Sequence, residues 1–206
     1  MSRETTSAHV VWHPTTVTKA DRQRQNGHKS CILWFTGLSG AGKSTLANAV
    51  EQQLHERGLK SYVLDGDNIR HGLNRGLGFG PADRKENIRR IAEVAKLFVD
   101  AGVIVLTAFI SPFREDRELA RGLVEPDEFV EIYVKCPLEE CERRDPKGLY
   151  RKARSGEIAE FTGITSPYEE PLAPELVVES GTQSVEESVR IVLRHLEERG
   201  IIPASR

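Results

Sequence analysis

The stretch Gly37-Leu38-Ser39-Gly40-Ala41-Gly42-Lys43-Ser44-Thr45 decides the fold of this chain. It fits the pattern G-x-x-x-x-G-K-[ST], follows the apolar run 32–36 and leads directly into a helical pattern. Glycines let such a loop wrap so closely that backbone N–H groups face an anion, and the helix N-terminus adds partial positive charge. The pattern therefore predicts a phosphate-binding loop for ATP, in which Lys43 reaches the β- and γ-phosphates and Ser44 holds Mg²⁺.

Apolar, strand-like runs alternate with helical patterns along the rest of the chain. The runs are Ile32–Thr36, Ser61–Leu64, Val103–Phe109, Phe129–Val134 and Glu175–Val178. Amphipathic helices are predicted over Ser44–Arg57, over Glu86–Asp100 and from Ser184 to just before Gly200. Strands separated by helices predict an α/β fold: a P-loop NTPase-type doubly wound parallel sheet of about five strands, with helices on both faces.

Length and composition bound the organisation of the chain. Its 206 residues suit one domain with a short arm, and 38% hydrophobic with 29% charged residues is an ordinary globular composition. Residues 1–28 are polar and show no sustained periodicity, so we expect an N-terminal arm there, with Val10, Val11 and Trp12 available for docking. Residues 29–206 are expected to form the P-loop domain.

Charge, hydropathy and cysteine content exclude several classes of protein. A net charge of -2 argues against a nucleic-acid-binding surface. No apolar run is long enough to span a bilayer, and the N-terminus lacks a signal-peptide pattern, so we expect a cytoplasmic protein without a membrane partner. The three cysteines, Cys31, Cys136 and Cys141, form no CxxC pair, which disfavours a disulfide framework or a zinc site.

Carboxylates that could serve the phosphates follow the second predicted strand, in Asp65-Gly66-Asp67-Asn68. The Asn-Lys-x-Asp stretch of GTPases is missing from the sequence, and the central strand ends in Ile110-Ser111-Pro112 without an acid. Because the carboxyl ends of neighbouring parallel strands converge, we expect Asp67 near the γ-phosphate, either as a proton acceptor or as a Mg²⁺ ligand. The alternative is that these acids, and Asp65 above all, only form a turn.

Several further motifs carry a resemblance to a known family. They are the runs Phe35–Thr45, Leu64–Arg70, Leu77–Phe79, Asp83–Ile91, Phe109–Pro112, Asp145–Tyr150 and Phe161–Ile164. In this order they resemble the adenylyl-sulfate kinase (APS kinase) family over nearly the whole chain. The resemblance implies that ATP phosphorylates the 3′-hydroxyl of adenosine 5′-phosphosulfate (APS), giving PAPS and ADP, in sulfate assimilation.

The resemblance also implies a substrate site. In the family pattern, the positions of Arg70, Arg84 and Asn87 hold the phosphosulfate and the nucleoside, and those of Phe79 and Phe161 sandwich the adenine ring. The full set of residues expected to bind the substrate is Asp67, Arg70, Phe79, Arg84, Asn87, Ile110, Ser111, Arg114, Lys147 and Phe161. The alternative interpretation, without the family match, is that the two phenylalanines are ordinary loop anchors and that Arg84 and Asn87 are ordinary polar residues at a helix start.

A basic segment predicts a mobile lid over about residues 143–164. Its cations are Arg143, Arg144, Lys147, Arg151, Lys152 and Arg154. We expect Lys147 to contact the substrate or the transferring phosphoryl group and Arg154 to lie nearer ATP. The alternative interpretation is a solvated charged face.

Ser111 allows two interpretations, because the family's equivalent serine is often assigned as a phosphorylated intermediate. A serine before Pro112 also has the pattern of a helix N-cap. Direct transfer needs no covalent step. We therefore expect Ser111 to line the site with Ile110 and Arg114 without obligatory phosphorylation, beside the catalytic residues Lys43, Asp67 and Lys147.

The family resemblance further implies a homodimer and a separate ATP sulfurylase that makes APS. Two other functions remain open from the residues alone. One is another small P-loop metabolite kinase of the gluconate or nucleoside monophosphate type, and the other is a nucleotide-binding regulatory subunit without catalysis. The set of two aromatic and three cationic residues disfavours the first, and intact Lys43, Ser44 and Asp67 disfavour the second.

Overall fold

The structure, a computed structural model, describes residue 11 and residues 13–205. Five strands form one parallel sheet in the order β2-β3-β1-β4-β5. The strands are β1 (Ile32–Thr36), β2 (Ser61–Asp65), β3 (Ile104–Ala108), β4 (Phe129–Lys135) and β5 (Leu176–Glu179). The helices are α1 (Lys19–Asn26), α2 (Lys43–Glu56), α3 (Gly66–Arg70), α4 (Pro81–Asp100), α5 (Arg114–Arg121), α6 (Leu138–Arg144), α7 (Leu149–Arg154) and α8 (Val185–Glu198). The predicted doubly wound sheet is confirmed.

Helices cover both faces of the sheet and divide the core into two clusters. On one face, α2 and α8 pack on alternate strand residues such as Leu33 and Ile132. On the other face, α4 packs on residues such as Trp34 and Val105. The strands β1 and β3 are buried on both faces. This explains why they appear in the sequence as continuous apolar runs rather than as alternating patterns.

The order of the strands places the candidate site. The strand β1, which carries the phosphate loop, lies between β3 and β4, and β3 separates it from β2. The chain therefore builds one side of the sheet before β4 crosses to the other side of β1. In open α/β sheets the ligand crevice forms at such a reversal, outside the carboxyl ends of the strands.

The helix α4 begins five residues earlier than its apolar periodicity predicts, at Pro81 instead of Glu86. Its extra first turn, 81–85, contains few apolar residues, so the periodic pattern gives no signal there. Gly80 is the N-cap and Pro81 has the first-turn position that proline tolerates. The Asp83 carboxylate accepts the N–H of Gly78 at 2.8 Å, which fixes the preceding loop on this turn.

The predicted arm, residues 1–28, contains the short helix α1. Its residues are polar, so the hydrophobic pattern does not reveal it. A capping box between Thr18 and Asp21 begins the helix, and Asn26 Nδ2 donates to the Gly102 carbonyl at 2.9 Å on the main domain. Val10 and Trp12 lie outside the described residues, and Val11 is exposed. Among the helices that the structure describes, none has the length and apolar character needed to cross a membrane.

Candidate active site

The phosphate loop connects the carboxyl end of β1 to the first turn of α2. Lys43 opens α2, and its Nζ donates to the carbonyls of Gly37 at 3.0 Å and Leu38 at 2.7 Å. The side chain is therefore folded into its own loop and is only 8% exposed. Burial lowers the pKa of Lys43 to about 8, against the opposing influence of Cys141 and Asp65. The loop therefore places the positive charge of Lys43 where the oxygens of a bound phosphate would lie.

Two glycines let this loop lie against its neighbours. At Gly37, with φ +152°, an added Cβ would stand 2.5 Å from the Val134 carbonyl oxygen. At Gly40, with φ +74°, it would stand 3.1 Å from the carbonyl oxygen of Cys141 in α6. Side chains at these positions would push the loop off β4 and α6. The phosphate loop also contains Ser39, Ala41 and Gly42, and Thr45 lies in the first turn of α2.

Asp65 is a residue of the site that the sequence motifs left undecided between a ligand and a turn residue. Its Oδ2 accepts a hydrogen bond from the Ser44 hydroxyl at 2.6 Å, and its Oδ1 accepts the N–H of Asp67 at 3.0 Å. The carboxylate thus caps α3 and faces the phosphate loop at the same time. The sequence signal was the Asp-Gly-Asp pair at a strand end, which also fits a turn.

Asp67 lies two residues beyond this cap, in the first turn of α3, and forms an ion pair with Lys147. Both side chains are more than half exposed, at 66% for Asp67 and 56% for Lys147. The structure therefore joins the carboxylate that follows β2 to the lid segment that follows α6.

Among the described residues there is no group of three or more His, Cys, Asp or Glu that could hold a metal ion. A Mg²⁺ ion, which commonly keeps waters and phosphate oxygens, needs only one or two protein oxygens at this place.

The lid segment is fastened to the phosphate loop by Tyr150. Its hydroxyl donates to the Ser39 carbonyl at 2.9 Å. The Asp145 carboxylate accepts the N–H groups of Tyr150 and Arg151, at 3.0 and 3.1 Å, and so satisfies two donors in the first turn of α7. The rings of Phe161 and Tyr150 pack in a T-shaped arrangement with 4.9 Å between their centroids, and Phe161 is 8% exposed.

Much of the positive charge in the lid is paired with acids of α6. Arg143 and Arg144 both donate to Glu140, and these hydrogen bonds lower the pKa of Glu140 to about 2. Arg154 pairs with Glu142, and no hydrogen bond or ion pair in the described part of the chain joins Arg154 to the phosphate loop. Lys147 is the lid cation that the structure brings to Asp67.

The Arg70 guanidinium packs on the ring of Phe79. The guanidinium carbon lies 4.3 Å from the centre of the Phe79 ring, and Nη1 donates to the Leu77 carbonyl at 2.8 Å. Partial burial lowers the pKa of Arg70. Phe79 itself is 64% exposed, which leaves the rest of its ring open to a ligand.

Arg84 bridges the two segments that carry the predicted aromatic pair. Its Nε donates to the Phe79 carbonyl at 2.6 Å, and its Nη1 donates to Thr162 Oγ1, beside Phe161, at 2.6 Å. Arg84 therefore holds the segments together, while the rings of Phe79 and Phe161 have different surroundings. Asn87 is buried one turn further along α4, and its Oδ1 accepts from Asn74 Nδ2 at 2.9 Å.

Ser111 is not a helix N-cap, so that interpretation of the Ser-Pro pair is wrong. The helix α5 begins at Arg114 with Phe113 before it, and Ser111 has φ +41°, in the left-handed region. Its Oγ accepts the indole N–H of Trp34 at 3.0 Å. The pattern Ser-Pro fits a helix cap, but in the fold the Ser111 hydroxyl oxygen accepts from Trp34 and does not cap α5.

The neighbours of Ser111 contact β1 on one side and the loop before β5 on the other. The Ile110 carbonyl accepts from Thr36 Oγ1 at 2.7 Å. The Arg114 backbone N–H donates to Glu169 Oε2 at 2.8 Å, and its Nε donates to the Glu170 carbonyl at 2.7 Å. The structure therefore gathers Lys43, Ser44, Asp67, Lys147 and Ser111 at the carboxyl ends of β1, β2 and β3.

Comparisons with known proteins agree on one family. The family model described as adenylylsulphate kinase matches residues 29–179. A probable adenylyl-sulfate kinase from Bacillus subtilis (strain 168) is 63% identical over 198 residues, which cover 96% of this chain and 100% of that protein. An adenylyl-sulfate kinase from Geotalea uraniireducens (strain Rf4) is 63% identical over 190 residues, covering 92% of this chain and 91% of that protein.

A solved structure gives the same result. The Mycobacterium tuberculosis APS kinase CysC in complex with AMPPNP and APS is 51% identical, with a TM-score of 0.79. The match covers 82% of this chain and 99% of that chain.

Proposed function

Because this chain belongs to the adenylylsulphate kinase family, we propose that it transfers the γ-phosphoryl group of ATP to the 3′-hydroxyl of APS through the residues described above. The products are PAPS and ADP. One observation supports the residue assignment above all others: the phosphate loop, the acids after β2 and Lys147 of the lid converge at one edge of the sheet.

Mg²⁺ fits the oxygen donors at this edge. The Ser44 hydroxyl and the Asp65 carboxylate lie within 2.6 Å of each other, and Asp67 follows on the same turn. Hydroxyl and carboxylate oxygens are hard ligands that suit Mg²⁺. We assign Ser44 as the direct ligand, with Asp65 and Asp67 as direct or water-mediated ligands. Bound there, the ion would neutralise charge on the β- and γ-phosphates.

The transfer itself is an in-line displacement. The 3′-oxygen forms a bond to the γ-phosphorus as the bond to the bridging oxygen breaks, and ADP leaves with that electron pair. Asp67 is positioned to orient the 3′-hydroxyl and accept its proton. Lys43 and Lys147 place positive charge beside the transferring group. For Lys147 to reach it, the ion pair with Asp67 must open or be shared with substrate.

APS would be held by cations and by one open aromatic ring. Arg70, Arg84 and Asn87 supply donors for the phosphosulfate and the nucleoside, and the exposed ring of Phe79 supplies a stacking face. Phe161 is buried on Tyr150, so it would reach an adenine ring only after the 161–166 segment shifts. Ile110, Ser111 and Arg114 would form the floor between these residues and the phosphate loop.

Assembly and cellular setting extend the proposal. We expect a cytoplasmic homodimer that works downstream of a separate ATP sulfurylase, which supplies APS. Light scattering on the purified protein measures the assembly directly, because a dimer has twice the mass of the 23.0 kDa chain. Deletion of residues 1–28 tests whether the arm contributes to assembly or turnover.

The decisive experiment measures ADP production from Mg-ATP with APS, gluconate, AMP or no acceptor. We expect ADP only with APS, together with PAPS identified by mass. Turnover with gluconate or AMP instead would favour another metabolite kinase. Binding of ATP without turnover on any acceptor would favour a regulatory subunit, and either result would overturn the proposal.

A further inference from the structure

Arg117 is a charged side chain buried inside the domain, with 2% of its surface exposed. It lies on α5, and its three guanidinium nitrogens donate in three directions. Nε donates to Glu131 Oε1 at 2.6 Å, Nη1 to the Ser111 carbonyl at 2.7 Å and Nη2 to the Glu169 carbonyl at 2.8 Å. One side chain thus connects β4, the segment after β3 and the loop before β5.

The Ser111 backbone is the unusual partner in this set. Its φ of +41° is unfavourable for any residue except glycine, so the surroundings must hold it in place. Three hydrogen bonds do so. Arg117 Nη1 donates to the Ser111 carbonyl oxygen at 2.7 Å, and Thr36 Oγ1 donates to the same oxygen at the longer distance of 3.4 Å. The Trp34 indole N–H donates to Ser111 Oγ at 3.0 Å. Residues kept in this conformation concentrate at functional sites, where the strain is part of how the site is shaped.

We propose that Arg117 is a positioning residue of the APS site, which holds Ser111 in its left-handed conformation and so fixes the floor on which APS is placed. This inference rests on the proposed function. Ser111 follows β3, which lies between the strand that carries the phosphate loop and the strand that ends at Asp65. A change in its backbone direction would therefore displace the surface between the two substrates.

Lysine cannot replace arginine in this position. The guanidinium is a planar fork that serves Glu131 and two carbonyls at once, whereas an ammonium group is a compact charge on a flexible stem. In Arg117→Lys the charge that balances Glu131 stays, but at least one of the two carbonyls loses its guanidinium donor, and Ser111 then keeps only the longer hydrogen bond from Thr36 if its carbonyl is the one affected. The variant therefore separates the electrostatic role of the residue from its geometric role.

Arg121, one turn further along α5, provides a matched control. It donates to the same Glu131, to Oε2 at 3.5 Å, and to Glu175 at 2.6 Å. No described hydrogen bond joins it to Ser111. Arg121→Lys therefore disturbs the same charge network without removing a donor from the Ser111 carbonyl.

The first readout is steady-state kinetics with each substrate varied. For Arg117→Lys we expect the KM for APS to rise by about tenfold while the KM for ATP stays within about twofold. For Arg121→Lys both constants should stay within about twofold of the wild-type values. If the two variants change both KM values equally, Arg117 has only a structural role and the proposal is overturned.

The second readout is spectroscopic and does not depend on turnover. The chain has two tryptophans, Trp12 and Trp34, so ¹⁵N labelling in a Trp12→Phe background leaves one indole N–H signal. We expect Arg117→Lys to move the Trp34 indole resonance, because its acceptor is Ser111 Oγ, and Arg121→Lys to leave it in place. An unmoved resonance in Arg117→Lys would overturn the proposed link.

A further variant covers the case in which Arg117→Lys does not fold. Glu131→Gln keeps the size and the hydrogen-bonding oxygen of Glu131 but removes the charge that orients Arg117. It should shift the indole resonance and the KM for APS in the same direction as Arg117→Lys, by a smaller amount. If wild-type protein shows no APS-dependent turnover, the proposed function fails, while the indole signal still decides whether Arg117 acts on Ser111.

Discussion

Lys147 of the lid forms an ion pair with Asp67, which stands 80 residues earlier in the chain. The pair closes the candidate site from the lid side. Because both side chains are largely exposed, water screens their attraction, and the pair contributes little to folding. We therefore expect the pair to act in turnover rather than in folding.

We expect Lys147→Ala to lower kcat by about a hundredfold, because it removes a cation from the transferring group. The Tm should change by less than about 2 °C. Steady-state kinetics and thermal unfolding measure the two effects. Lys152→Ala is the matched control, since Lys152 is an exposed lid cation without an ion pair among the described residues. A comparable loss of kcat in Lys152→Ala would mean that only the total charge of the lid matters.

We expect Ser111→Ala to keep measurable turnover. Ser111 is only 2% exposed, and its hydroxyl oxygen accepts a hydrogen bond from the buried Trp34 indole, so its burial among core residues disfavours attack on ATP. Mass spectrometry of the protein after incubation with Mg-ATP alone should show no phosphate on Ser111. Complete loss of turnover in Ser111→Ala with normal binding of both nucleotides would contradict direct transfer.

Binding of ATP should take up protons at alkaline pH. The pKa of Lys43 in the free protein is lowered to about 8 by burial, and an anionic phosphate beside it raises the pKa again. Lys43 is mostly charged at pH 7 and mostly neutral at pH 9 before binding. Proton uptake is therefore expected to be larger at pH 9 than at pH 7.

Calorimetric titrations of ATP in buffers with different ionisation enthalpies measure this uptake. In Lys43→Arg the uptake at pH 9 should disappear, because arginine stays protonated. Equal uptake at pH 7 and pH 9 in the wild-type protein would show that Lys43 is not the group that titrates.

Tyr150→Phe should destabilise the domain by about 1 kcal/mol, because it removes the hydrogen bond to the Ser39 carbonyl and leaves that oxygen without its partner. Urea unfolding measures the change. Tyr62→Phe is the control, since Tyr62 is half exposed and none of the described hydrogen bonds engages its hydroxyl. If both variants lose the same free energy of unfolding, the hydrogen bond between the lid and the phosphate loop makes no specific contribution to stability.

The sequence by itself determined the fold of this protein and the location of its phosphate loop. Buried parallel strands leave continuous apolar runs, and amphipathic helices leave a periodic stripe that ends at glycine. The phosphate loop depends on local backbone conformation, which Gly37, Gly40 and Gly42 specify directly. These features need only neighbours in sequence, so they can be predicted from the sequence alone.

Contacts between distant segments were decided only by the tertiary structure. The helix α1 is polar and has no hydrophobic stripe, so its existence depends on capping and on hydrogen bonds such as the one from Asn26 to Gly102. The Ser111-Pro112 pair fits a helix cap, but its conformation is set by Trp34 and Arg117 from other elements. Asp65 and Lys147 acquire their partners, Ser44 and Asp67, when the carboxyl ends of the strands converge. Such pairings depend on which segments of the chain come together in three dimensions, and a local pattern of residues does not predict that.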